Sequence, residues 1–274
     1  MQQEHHGSNR RHFLRLLVLG SVWGSVSRVH AETWREENSQ RFRVLYVQDA
    51  AFAAAVATWA ERYYTEITLE LGLTHVVQRN QVPWLWEQRC RIYLYPSREA
   101  YVQATGAPGW SGGMVRYRER IVYSFSGAPS FLEKTLPHEL AHILFREYVG
   151  FDNPRVPRWL DEGVAQYAEM GRREEALDVM RQGLAEGAYL PLAQLSRLPV
   201  NHTPGGVARV FYLQAVTLVY FFLQQYGSRR FLDFCGNLRD GYPVERALSF
   251  ATSGSLQSLG ALEDAWRQFL LRLS

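Results

Sequence analysis

The chain has 274 residues, 47% of them hydrophobic, which suits one sizeable domain or two small lobes sharing a cleft. Its formal charge of +3 originates in residues 1–31. Taking Arg10, Arg11, Arg15, Arg28 and Glu4 away from the 30 basic and 27 acidic residues leaves a neutral remainder, so composition gives no ground for a nucleic-acid partner or an anionic surface.

At the N-terminus, Arg10-Arg11 precede Phe13-Leu14, an apolar run from Leu16 to Val26, and Val29-His30-Ala31. This resembles a twin-arginine signal, which implies export to the periplasm or the extracellular space and cleavage after Ala31. Gly20, Ser21, Gly24 and Ser25 interrupt the apolar run, which is also too short for a comfortable membrane span. The mature protein is therefore expected to be soluble, with no stable membrane insertion. Cys90 and Cys235 stand far apart in sequence, in no zinc-binding spacing, and are open to a disulfide or to two buried thiols.

Residues 41–47 alternate with a period of two and read as a strand, and residues 50–71 carry Val56, Trp59, Ala60, Tyr63, Tyr64 and Ile67 at helical spacing until Gly72. That aromatic stripe reads as core packing, and His75 beyond it as incidental. A second strand covers 91–95, a short helix 97–105, and a glycine-rich loop 106–113, which lacks the Lys-Ser/Thr of a phosphate loop. Residues 114–117 and 120–125 read as a hairpin through Arg118-Glu119. Helices are expected at 135–148, 158–169, 173–183 (peripheral), 209–226, 229–238, 244–250 and 256–273, with 190–199 irregular and 201–206 a polar loop. Strands cluster early and helices late, giving an α+β fold class. The expected organisation is a signal at 1–31, an α/β lobe at 41–170 and a helical lobe at 171–274.

The chemistry concentrates in His138-Glu139-Leu140-Ala141-His142 and in Trp159-Leu160-Asp161-Glu162-Gly163. On a helix, residues four apart share a face, so His138 and His142 can offer two imidazole nitrogens to one ion. Glu139 sits one step round, close to such an ion without having to ligate it. Gly150, Asn153-Pro154 and Pro157 then allow the chain to turn, so that Glu162, early in the next helix, can point back as a third ligand. Pro137 is tolerated only in a first turn, so the first helix should begin or kink near Leu136. Leu140, Ile143 and Leu144 anchor it, and Gly163 permits a close helix approach.

Together, H-E-L-A-H and W-L-D-E-G-V-A-Q-Y resemble the gluzincin metallopeptidases, especially the peptidase MA-like domains. The likeness runs more weakly through Tyr212-Leu213-Gln214-Ala215, Tyr226-Gly227 and a closing helix with Trp266. It implies one Zn2+ per chain held by His138, His142 and Glu162, with Glu139 as general base toward a peptide or protein substrate. It also implies a later donor for the developing negative charge, with Tyr212 the first candidate and His202 the second. An edge strand along the cleft, to which an extended substrate adds, is expected at residues 120–125. Gln166 and Asp161 are both candidates to orient the ligand histidines. Two other readings remain open: a zinc amidase acting on cell-wall peptides, and a non-catalytic binding or assembly protein with a structural zinc. The 106–113 loop could cover the cleft and keep it latent.

Overall fold

A computed structural model of the chain describes residues 33–74, 83–199 and 203–273. The signal expected at residues 1–31, His75 and His202 lie outside the described residues. Thr33–Ser274 form one compact unit.

Five strands, β1 (Arg35–Asn38), β2 (Phe42–Tyr46), β3 (Cys90–Tyr95), β4 (Met114–Arg116) and β5 (Ile121–Phe125), make one sheet in the order β1-β2-β3-β5-β4. The middle three run parallel, with Val44, Ile92 and Val122 in register. Parallel neighbours require crossovers. Helix α1 (Ala50–Glu70) lies on the path from β2 to β3, and α2 (Arg98–Thr105) on the path from β3 to the hairpin. β1 was not foreseen: Arg35-Glu36-Glu37-Asn38 is polar throughout and almost wholly exposed, so it carries no alternation.

The resemblance placed the edge strand along the cleft at residues 120–125, and the structure corrects this. β5 lies between β3 and β4, because the hairpin folds Met114–Arg116 onto its outer side with Val115 opposite Val122. The edge on this side of the sheet is therefore β4, with β1 at the opposite edge. Both faces of β5 are covered, which is why four of its five residues are buried.

Asp49 caps α1 by accepting from the Phe52 amide at 2.9 Å. The helix buries Ala53, Val56, Ala60, Tyr63, Tyr64 and Ile67, so its aromatic stripe is core, as expected. The Tyr63 hydroxyl donates to the Leu132 carbonyl at 2.7 Å, tying α1 to a π-type turn, Phe131–Thr135. That turn runs directly into α3 (Leu136–Val149), with Pro137 in its first turn, where the missing N–H costs nothing. Leu140, Ile143 and Leu144 are 0%, 0% and 1% exposed. Truncating any of them to alanine would cost about 2–5 kcal/mol, so the helix that carries the two histidines is firmly held.

After a loop, α4 (Arg158–Tyr167) packs back on α3 and on a long helix, α7 (Gly205–Arg239). A Cβ on Gly163 would lie 2.5 Å from the Ala215 carbonyl oxygen, so the glycine permits this approach, as its position suggested. Between them come α5 (Arg172–Ala185) and the single turn α6 (Leu192–Leu195). α5 is not merely peripheral: Ala176 and Met180 are fully buried. α7 joins two helices that the sequence separated, kinking at Gly227, where φ is 76°. By length and composition α7 could cross a membrane, yet 61% of its most apolar window is buried within the fold, as in a core helix. The chain closes with α8 (Val244–Ala251) and α9 (Leu259–Arg272), whose buried Trp266 donates to Thr217 Oγ1 at 3.1 Å. Cys90 and Cys235 are both buried and unpaired, and burial raises both thiols. The whole is α+β, with a small sheet first and a helical remainder.

Candidate metal centre

α3 places His138 and His142 one turn apart, with their Nε2 atoms 3.1 Å from each other. α4 brings Glu162 across, its Oε2 at 4.0 Å from His138 Nε2 and 3.9 Å from His142 Nε2. The three ligand atoms all lie within 4.8 Å of one another. Three atoms at these separations can share a point roughly 2.2 Å from each, close to the 2.0–2.2 Å of zinc bonds to imidazole and carboxylate. Two nitrogens and one carboxylate oxygen also form a donor set that suits zinc. The residues fit the ion that the motif implies.

The outer ring nitrogens explain why the inner ones are available. His138 Nδ1 lies 2.8 Å from Glu169 Oε1, and His142 Nδ1 lies 3.2 Å from Asp161 Oδ1. An ionised carboxylate can only accept, so each Nδ1 donates and, in the neutral ring, each Nε2 presents a lone pair inward. Arg146 clamps Asp161 through both oxygens, at 3.0 and 2.7 Å. Burial opposes ionisation of Asp161, but His142 and Arg146 outweigh it and hold the carboxyl at about 2. Burial likewise opposes charging His142, yet Asp161, Glu162 and Glu139 carry its imidazolium up to about 9. The pocket favours a positive charge at this point.

Of the two orienting candidates, Asp161 is the one that touches a histidine. Gln166 instead accepts from Arg172 Nε at 2.8 Å. Glu169, the partner of His138, was missed. It stands just past the end of α4, seven residues after Glu162, and the two-turn spacing on one helix face was the signal that could have found it.

Burial pushes Glu139 upward, with His138 and His142 opposing this and Glu162 and Glu169 adding to it. A carboxylate poised above its ordinary range suits proton transfer near neutrality. Glu139 and His138 line a shallow cavity of about 230 Å³ together with Trp110, Gly113, Thr135 and Glu169. The 106–113 loop thus forms one wall of it. Gly113 is pressed against Thr135, where a Cβ would sit 2.5 Å from a methyl carbon. Trp110 stands at the rim, 85% exposed.

Tyr212, on α7, is half-buried on the Glu162 side. Burial raises its hydroxyl, as does the Glu162 charge, while Arg158 lowers it. Arg158 Nε also lies 3.5 Å from Glu162 Oε1, leaving Oε2 directed at the histidines. A second phenol, Tyr117, was not foreseen. It follows β4, and its ring centroid is 5.6 Å from that of His142.

The family model described as the peptidase MA superfamily matches residues 83–272. The match takes in both motif helices, β3 to β5 and all the later helices, and omits β1, β2 and α1. No curated protein matches the chain.

Proposed function

On the premise that this chain belongs to the peptidase MA superfamily, a family of gluzincin-like peptidases, we propose that it is an exported zinc-dependent peptidase that cleaves peptide bonds. The observation that carries this reading is the convergence of His138, His142 and Glu162 beside a raised Glu139 that opens onto a cavity. One Zn2+ per chain would be held by those three ligands. When bound, zinc supplies Lewis acidity, which polarises a carbonyl and acidifies a water molecule.

The protein residues do the rest. Glu139 accepts a proton from the attacking water and returns it to the departing amine nitrogen. Asp161 and Glu169 hold the two imidazoles in one tautomer and one orientation. Tyr212 donates its hydroxyl to the negative charge that develops on the carbonyl oxygen. β4, the free edge beside the cavity, offers its backbone to an extended substrate, a mode suited to peptides because main-chain hydrogen bonds ignore sequence. The residue 1–31 signal directs export. Replacing Arg10 and Arg11 by lysine in a reporter fusion should block it, and unaffected export would remove that part of the reading.

The test of the activity is Glu139→Gln. Hydrolysis of a peptide library should vanish while the metal stays bound. Retained turnover would contradict the assignment of the base.

A further inference from the structure

A second cavity, of about 580 Å³, opens beyond the hairpin and is larger than the groove at His138. Four guanidinium groups line it: Arg89, Arg91, Arg118 and Arg120. Two of them are neutralised locally. Arg120 is paired with the buried Glu147 and donates to the Gln88 carbonyl, and Arg118 is paired with Asp152. Arg89 and Arg91 have only neutral acceptors among the described residues. Arg89 reaches the Asn38 amide oxygen at 3.2 Å, and Arg91 a backbone carbonyl, that of Glu119, at 3.5 Å. The Nε of Arg89 is buried with no hydrogen-bond partner among the described residues. Of the two rim carboxylates, Glu87 is turned toward Arg43, at 4.0 Å, and is 87% exposed, and Glu119 is exposed. Arg120 holds a left-handed backbone, φ 51°, uncommon for a residue with a side chain.

Two guanidiniums without a counter-ion among the described residues, one with a buried Nε that no described residue accepts from, can offer forked donors to an anion. Carboxylate and phosphate are the groups that such forks match, and of the two a peptide carries the carboxylate. The location supplies the source. Gly113, just before β4, lies against Thr135 and the cavity of Glu139, and Tyr117, just after it, packs its ring on His142. The hairpin turn that follows β4 carries Arg118 and Arg120 to the second cavity, with Arg120 against Glu147 near the far end of α3. At about 3.4 Å per residue, the three residues of β4 span roughly 10 Å, which about three residues of an extended peptide cover.

We propose that the Arg89–Arg91 cavity is a carboxylate-binding site that reads an acidic side chain or the terminal carboxylate of a peptide lying along β4. The role in substrate choice rests on the peptidase reading; the binding of a carboxylate does not.

Two measurements separate them. The full chain is titrated with glutarate and followed by calorimetry, alongside Arg91→Gln and Arg89→Gln. Wild type should bind, and each variant should bind at least about tenfold more weakly. Absence of binding, or equal binding by all three proteins, would overturn the site even if no peptide were ever cleaved.

Matched peptides then identify the source: one with an acidic side chain and an amidated end, one neutral with a free terminus, and one neutral and amidated. One of the first two should be preferred by at least about tenfold, through KM, and Arg91→Gln should erase the preference while leaving kcat on the neutral amidated peptide unchanged. Which peptide wins names the group that is read. Equal kcat/KM on all three with active enzyme would overturn the role in substrate choice.

Discussion

Asp161 stands between a candidate ligand histidine and a guanidinium, 3.2 Å from His142 Nδ1 and 2.7 Å from Arg146 Nη2. The same carboxylate therefore fixes the ring of His142 and is itself kept ionised by Arg146. It adjoins Glu162 in sequence, so one helical turn of α4 supplies both a candidate ligand and the group that orients another.

Removing that charge should cost metal before it costs fold. Asp161→Asn is expected to weaken zinc affinity by about 10–100-fold, the usual effect of losing a carboxylate behind a ligand histidine. Gln166→Ala, which only releases Arg172 Nε, should leave affinity unchanged. Competition against a chelator measures both. Equal affinities for Asp161→Asn and wild type would contradict the orienting role.

The pH dependence follows from His142. Its folded value is raised from 6.5 to about 9, so its protonated form stabilises the fold. That contribution is complete below about 6.5 and is lost as pH rises through about 9. Metal-free protein should therefore show a falling Tm across this window. Zinc needs the neutral ring, so its affinity should climb over the same range. A flat or rising metal-free Tm would contradict the electrostatic description.

Gly163 has a packing role that stability measurements can isolate. In Gly163→Ala the new methyl would meet the Ala215 carbonyl at 2.5 Å, and the backbone of α7 cannot easily yield there. A loss of about 1–3 kcal/mol is expected, read by denaturant unfolding of metal-free protein, together with weaker zinc binding as Glu162 is displaced. An unchanged midpoint would show that the helices separate freely.

The proposed donor is tested by Tyr212→Phe, which keeps the ring and removes the hydroxyl. kcat should fall about 100-fold with KM nearly constant, as when a single oxyanion donor is lost. Tyr117→Phe, whose ring packs on His142, should have the smaller effect. The reverse order would transfer the role to Tyr117.

The parts of the site that lie along one helix were legible in the sequence. The His138–His142 spacing is a property of the helix period, and Pro137 marked where that helix starts. The Glu162 approach could be anticipated because Gly150, Asn153-Pro154 and Pro157 let the chain turn back between the two helices; the close contact that Gly163 announced falls against α7. What depended on distant segments was less visible. The position of β4 outside β5 is a matter of hairpin pairing, which a period-two pattern cannot assign, and so the free edge was misplaced. β1 is held by backbone pairing and by polar side chains such as Glu36 and Asn38, with nothing apolar to reveal it. Glu169 was legible from its seven-residue spacing after Glu162 but was passed over in favour of Asp161 and Gln166, which stand closer to Glu162 in sequence. The arginine cavity gathers residues from β3, the hairpin and α3, and no single stretch announces it.

The central claim is that His138, His142 and Glu162 hold one ion between them. Elemental analysis of the purified chain, wild type beside Glu162→Ala, tests it most directly. One zinc per wild-type chain and close to none in the variant is the predicted result; a metal-free wild type after incubation with zinc, or full zinc retained by Glu162→Ala, would contradict it.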